Sequence, residues 1–166
     1  LKTLIRPSPN SAKNMSRIPG LWQELATLTA NLPQRTGLEK YVLITGDLPA
    51  FPGSPFKPTA ASTSETTDAV YYHALIAVKD FTDLPEPLKP LELSREINHS
   101  RMVKFQHLGP PTTIGTTATQ ALFAWLPQSR ETIAHNLEWM ILPANYDRNC
   151  ERTDPHGEFE YCLFIK

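Results

Sequence analysis

The chain has 166 residues, 16 basic and 17 acidic, with a formal net charge of −1 and 40% hydrophobic residues. That length suits one domain with a core of its own, and the balanced, unclustered charge excludes the basic face that tracking nucleic-acid phosphates requires. Two cysteines, Cys150 and Cys162, give neither a disulfide framework nor a zinc-ligand spacing, no apolar run is long enough to span a bilayer, and reduced cytoplasm is the expected compartment.

The chain opens on Leu1 without a charged-then-apolar signal; because it does not start with Met, a leader or preceding domain could lie ahead of it. LKTLIRP predicts a short strand that Pro7 ends, and SPNSAKNMSR a polar connection. IPGLWQELATLTANL then places Leu21, Trp22, Leu25, Leu28 and Leu32 at helical spacing, up to Pro33. KYVLITGDL predicts the second strand. The Pro-, Ser- and Thr-loaded segment from Asp47 to Ala69 fits no helix or strand period, and a loop this long inside a compact domain is functional or disordered. VYYHALIAVKDF predicts a third strand, and TDLPEPLKPLELSREINH a proline-broken connection. Sixteen prolines are about twice the average usage and fall mostly in such connections.

The second part repeats the order. SRMVKFQHL predicts a strand in which Met102, Lys104 and Gln106 alternate with Val103, Phe105 and His107. GPPTTIGTTATQALFAWL gives a turn and then Ile114, Ala118, Leu122 and Trp125 on one helical face, up to Pro127. NLEWMIL and EFEYCLFIK predict the last two strands. Both parts, about 1–95 and 96–166, therefore read strand, helix, strand, strand. The expectation is a single α+β domain of two half-domains, with antiparallel sheets, both helices on one side and a ligand cleft at the junction.

The last two strands carry the chemistry. Glu138 shares a face with Met140 and Leu142; Glu160 shares one with Glu158, Cys162, Phe164 and Lys166. An unpaired charge in apolar surroundings is costly. Each acid therefore reaches solvent, pairs with an internal Lys or Arg, or lines a pocket where desolvation raises its pKa and an incoming cation restores its charge. Aromatic residues fill the same elements: Trp22, Tyr41, Tyr71, Tyr72, Phe123, Trp125, Trp139 and Tyr161. Such residues serve a core equally well, but buried Trp N–H and Tyr O–H groups need partners, and aromatic faces beside a carboxylate hold organic cations. The five histidines lack ligand spacing, and Asp154, His156 and Glu158 of DPHGE read as turn chemistry before a metal site. No nucleophile elbow or phosphate loop is present, and no cofactor and no metal are expected.

RIPGLWQELATL, MVKFQHLGPPTTIGTTATQALFAWLPQS, LEWMIL and FEYCLFIK together resemble the GyrI-like, or bacterial effector-binding, domain family, the ligand-sensing part of AraC- and MerR-type multidrug regulators that also occurs alone. The matching pieces are Ile18 to Leu25, His107 to Pro110, Trp125 to Ser129, Glu138 and Glu160, in family order over nearly the whole chain. The resemblance implies a pair of strand-helix-strand-strand units whose cleft takes a small lipophilic, often cationic ligand, with an acid among aromatics at the central contact. That role is carried to Glu138 and Glu160 jointly, with Trp22, Tyr41, Tyr72, Trp139 and Tyr161 as aromatic candidates from composition and placement. Two departures bear on the pocket mouth: Phe164 stands where the family commonly has Pro, and the Asp47 to Ala69 loop is longer.

The expected function is a stand-alone effector-binding or sensing protein without catalysis, with no direct nucleic-acid contact and no membrane association. Three alternatives stay open: a small-molecule hydrolase using a pocket Glu as general base, a haem or tetrapyrrole binder, and an inhibitory protein-interaction module.

Overall fold

The computed structural model describes residues 2–5, 17–46, 70–90, 100–110, 113–135, 137–144 and 157–166. The Asp47 to Ala69 loop, Cys150, and Asp154 and His156 of DPHGE lie outside the described residues. In chain order the elements are β1 (Lys2–Ile5), α1 (Arg17–Thr29), β2 (Lys40–Gly46), β3 (Val70–Leu75), β4 (Arg101–Leu108), α2 (Ile114–Thr119), a π-helical segment (Gln120–Trp125), α3 (Leu126–Ser129), β5 (Glu138–Leu142) and β6 (Glu158–Ile165).

The six strands form one antiparallel sheet in the order β1–β3–β2–β5–β6–β4. The chain is thus α+β, with an antiparallel sheet and helices packed on it. Its register fixes which side chains share a face. Val42 lies opposite both Ala74 and Met140, and Tyr161 opposite both Met140 and Phe105. With alternation along each strand, that row defines a face carrying also Ile44, Tyr72, Glu138, His107, Phe159 and Leu163.

Both helices bury their apolar stripes in this face. Leu21, Trp22 and Leu25 of α1 join one core with Val42, Ala74, Met140 and Tyr161, and the same core takes in Ala121 with Ile114, Ala118, Leu122, Trp125 and Leu126 packed against it. His107, 2% exposed, ties β4 to α2: its Nδ1 meets the Thr117 hydroxyl at 2.8 Å and its Nε2 lies 3.2 Å from the Pro110 carbonyl. The chain leaves β4 through Gly109, whose φ of 128° is closed to most side chains.

The helix does not stop at Pro127, as the sequence suggests, but runs on to Ser129 and ends where Arg130 turns left-handed at φ 64°. A wide turn precedes the proline, with Leu126 N–H donating to Ala121 C=O, five residues back. Pro127 then stands in the first turn of α3, where a missing N–H costs little. Strand β3 is likewise shorter than its apolar run. Beyond Leu75 an isolated bridge joins Val78 to Arg35, outside the strands, and Ile76 and Leu88 pack against the core.

The second face of the sheet is also closed at its centre: Leu43, Cys162 and Phe164 are buried there. A line of rings accompanies them, Tyr41 to Trp139 at 5.8 Å, Trp139 to Phe164 at 6.5 Å and Phe164 to His135 at 6.1 Å between centroids. Among the described residues no helix is long and apolar enough to cross a membrane.

Candidate functional site

Strand β5 begins at Glu138, which pairs with Ile44 on β2, and Ile44 pairs in turn with Tyr72 on β3. This row runs across the helix-covered face at the junction of β2 and β5. From α1, Trp22 reaches down and its indole N–H donates to the Tyr72 hydroxyl at 3.1 Å. The neighbouring row continues through Met140 to Tyr161 and Phe105, with Trp125 edge-on to Phe105 at 5.2 Å between centroids. Glu138 thus lies beside Ile44, with Tyr72 beyond it on β3 and Tyr161 diagonally across on β6.

Two polar groups in this setting lack partners. Glu138 is only half-buried, yet the protein around its carboxyl desolvates it and pushes its pKa above the usual value. Among the described residues it makes no hydrogen bond and no ion pair. Tyr161 is fully buried and its hydroxyl has no hydrogen-bond partner. Burial, and then the nearby charge of Glu138, push the phenol pKa up, so the proton stays on oxygen.

Glu160 occupies the other face. It pairs with Ile141 on β5 and Gln106 on β4, and the register Trp139 to Cys162 places even-numbered residues of β6 opposite odd-numbered residues of β5. Hence Glu138 and Glu160, although on neighbouring strands, point to opposite sides of the sheet and do not share a site. Glu160 instead meets Lys104 Nζ at 2.8 Å, with both side chains well exposed at 40% and 50%. That pairing is the first cause of a raised Lys104 pKa. With Glu39, Gln106 and Glu158 it lines a polar groove of about 530 Å³.

The aromatic candidates divide in the same way. Trp22, Tyr72 and Tyr161 are on the helix-covered face with Glu138. Tyr41 and Trp139 belong to the ring line of the second face. They also line an apolar cavity of about 320 Å³ with Leu32, Leu75, Phe81 and Leu88. The Tyr41 hydroxyl donates to Glu39 at 2.8 Å, and burial, then that carboxylate, raises its pKa. Ile44 beside Glu138, and Phe105 beside Tyr161, are further side chains of this face that composition does not single out. Alternation in RMVKFQHL points Phe105 inward with His107, but only the register brings it beside Tyr161. Cys162 is a buried free thiol on the second face, its pKa pushed up to about 12 by burial and then by Glu160.

A solvated ion pair of this kind contributes roughly 0–1 kcal/mol. Glu160→Gln is therefore expected to change the unfolding free energy by less than about 1 kcal/mol in urea titrations. A larger loss would mean that the second face depends on this acid.

No family model matches the chain, and no curated protein matches it.

Proposed function

We propose that this chain is an effector-binding protein that takes up small lipophilic cations reversibly at Glu138, in a cleft between two strand-helix-strand-strand units. The single observation that carries the reading is a desolvated carboxylate that lacks a protein partner among the described residues, half-open to solvent and placed on the face and strands that carry Tyr72, held by Trp22, and Tyr161. Structural acids in cores come with a cation or with hydrogen bonds. One left unpaired among aromatic faces is suited to a cation from outside.

The chain order supports the two-unit reading. In β1–α1–β2–β3 the third strand lies between the first and second, and in β4–α2/α3–β5–β6 it does so again, giving β1–β3–β2 and β4–β6–β5. The units meet along β2 and β5, and Glu138 stands at that seam. Binding there also has a pH signature. A cation prefers the ionised acid, so affinity should rise with pH up to the raised pKa of Glu138 and level off above it.

The test is isothermal titration with phenethyltrimethylammonium and its neutral carbon isostere, on wild type and Glu138→Gln. Charge-assisted contacts contribute about 1.5–3 kcal/mol, so loss of the charge should weaken the cation roughly 10- to 150-fold. The neutral isostere should bind both proteins alike. Equal affinity of the cation for wild type and variant overturns the reading, and its conversion to product would assign turnover instead.

A further inference from the structure

The reading above uses one of the two unpartnered polar groups at Glu138; the other is the hydroxyl of Tyr161. We propose that this phenol is a second polar anchor, so that the site selects cations carrying a hydrogen-bond acceptor close to the positive centre over cations that carry charge and hydrocarbon alone. The inference rests on Glu138 being the cation site and adds to it the shape of the ligand's polar end.

Three observations carry it. First, Tyr161 has no exposed surface and its hydroxyl has no hydrogen-bond partner among the described residues. Buried polar groups are paired in the great majority of cases, and an exception calls for a reason. Second, the hydroxyl and the acid are neighbours. Tyr161 stands opposite Met140, and Glu138 is two residues from Met140 on the same face of β5, a diagonal relation of roughly 7–8 Å between backbones. The Glu138 charge is felt at the phenol, yet the two groups form no hydrogen bond. The protein thus keeps an acceptor of cations and a donor of hydrogen bonds near one another, each without a partner among the described residues.

Third, the register sets apolar side chains beside both groups: Ile44 beside the acid and Met140 beside the phenol, while the Trp22 indole N–H is already given to the Tyr72 hydroxyl. Because burial keeps the proton on Tyr161, the phenol faces a ligand as a donor. A carbonyl or ether oxygen three bonds from a quaternary or protonated nitrogen, with two carbons between them, can engage both. A plain alkylammonium leaves the hydroxyl unsatisfied, as in the free protein.

The experiment uses phenacyltrimethylammonium, which has a ketone beside the cation, and phenethyltrimethylammonium, which has a methylene in its place. The full chain is titrated with each, as wild type, Tyr161→Phe and Glu138→Gln. Wild type should prefer the ketone by roughly 3- to 10-fold, the worth of one neutral hydrogen bond. Tyr161→Phe should erase that preference by weakening the ketone alone, and Glu138→Gln should weaken both cations. The unliganded Tyr161→Phe protein should melt no lower than wild type, because its lost hydroxyl has no bond to lose.

A ketone preference that survives in Tyr161→Phe overturns the inference, as does binding of both cations by wild type with equal affinity; in either case the cation site at Glu138 stands. A marked drop in melting temperature of Tyr161→Phe would also overturn it, since the hydroxyl would then be bonded within the protein. Failure of wild type to bind either cation removes the cation site itself and the inference with it.

Discussion

Glu138→Gln is expected to stabilise the protein at neutral pH and to do nothing at pH 4. The folded protein raises the pKa of Glu138, with burial as the cause. A carboxyl raised in this way favours folding while it is protonated, below the ordinary carboxylate range. That contribution is lost as pH rises through the raised value, because the unfolded chain then tolerates the charge better than the fold does. Above it, wild type holds an uncompensated charge that the amide of the variant avoids. Each kcal/mol relieved corresponds to about 2–4 °C in Tm for a chain of this length. Melting curves from pH 4 to pH 8 should therefore converge at the acid end and separate toward the neutral end, with the variant higher. Parallel curves would show that Glu138 is satisfied in the free protein, and would undercut its role as a waiting acceptor. The same comparison with a bound lipophilic cation should reverse the order, since the ligand stabilises wild type by mass action and the variant much less.

Leu43→Ala should be the more damaging change, with an expected loss of about 2–5 kcal/mol in chemical denaturation. Leu43 is 1% exposed although it lies on the face away from the helices, and its neighbour Val42, on the helix-covered face, is equally buried. Strand β2 is therefore covered on both sides where it meets β5. Opposite Leu43 on the two neighbouring strands stand Trp139 and His73, and rigid rings of this kind cannot collapse into the space a leucine leaves. Met102 offers the control. It lies on the same face at the edge strand β4, is 39% exposed, and its replacement by Ala should cost no more than about 0.5 kcal/mol. A loss below 1 kcal/mol for Leu43→Ala would mean that the second face is not a packed layer.

Much of the fold was legible from patterns confined to single elements. Leu21, Trp22 and Leu25 announce α1 by their spacing, and alternation in RMVKFQHL and EFEYCLFIK separates inward from outward residues along β4 and β6. Even the parity of Glu138 with Met140 could be read. What cannot be read within one strand is how the faces of two strands are matched. That depends on a register set by loops and turns, and a slip of one residue exchanges every side chain between faces. Hence Glu138 and Glu160 look equivalent in sequence and stand on opposite sides of the sheet. Tyr41 and Trp139 were grouped with Trp22 for the same reason, although they belong to another ring cluster. The helix end at Pro127 was misread because proline ends a regular α-helix, and no local signal marks a preceding wide turn.

That wide turn and the proline after it depend on one another. A π turn holds one residue more than an α turn of equal span, so the segment takes in an extra residue while the helix on either side keeps its place. Removing a residue between Gln120 and Leu122 would let the segment close to α geometry with its flanks in place. Pro127 would then find itself inside a regular α-helix, against the carbonyl of Phe123 and without an N–H to offer, at a cost of about 3 kcal/mol. The proline therefore ties the residue count of Gln120 to Trp125 more tightly than the identity of its exposed members, Gln120, Phe123 and Ala124.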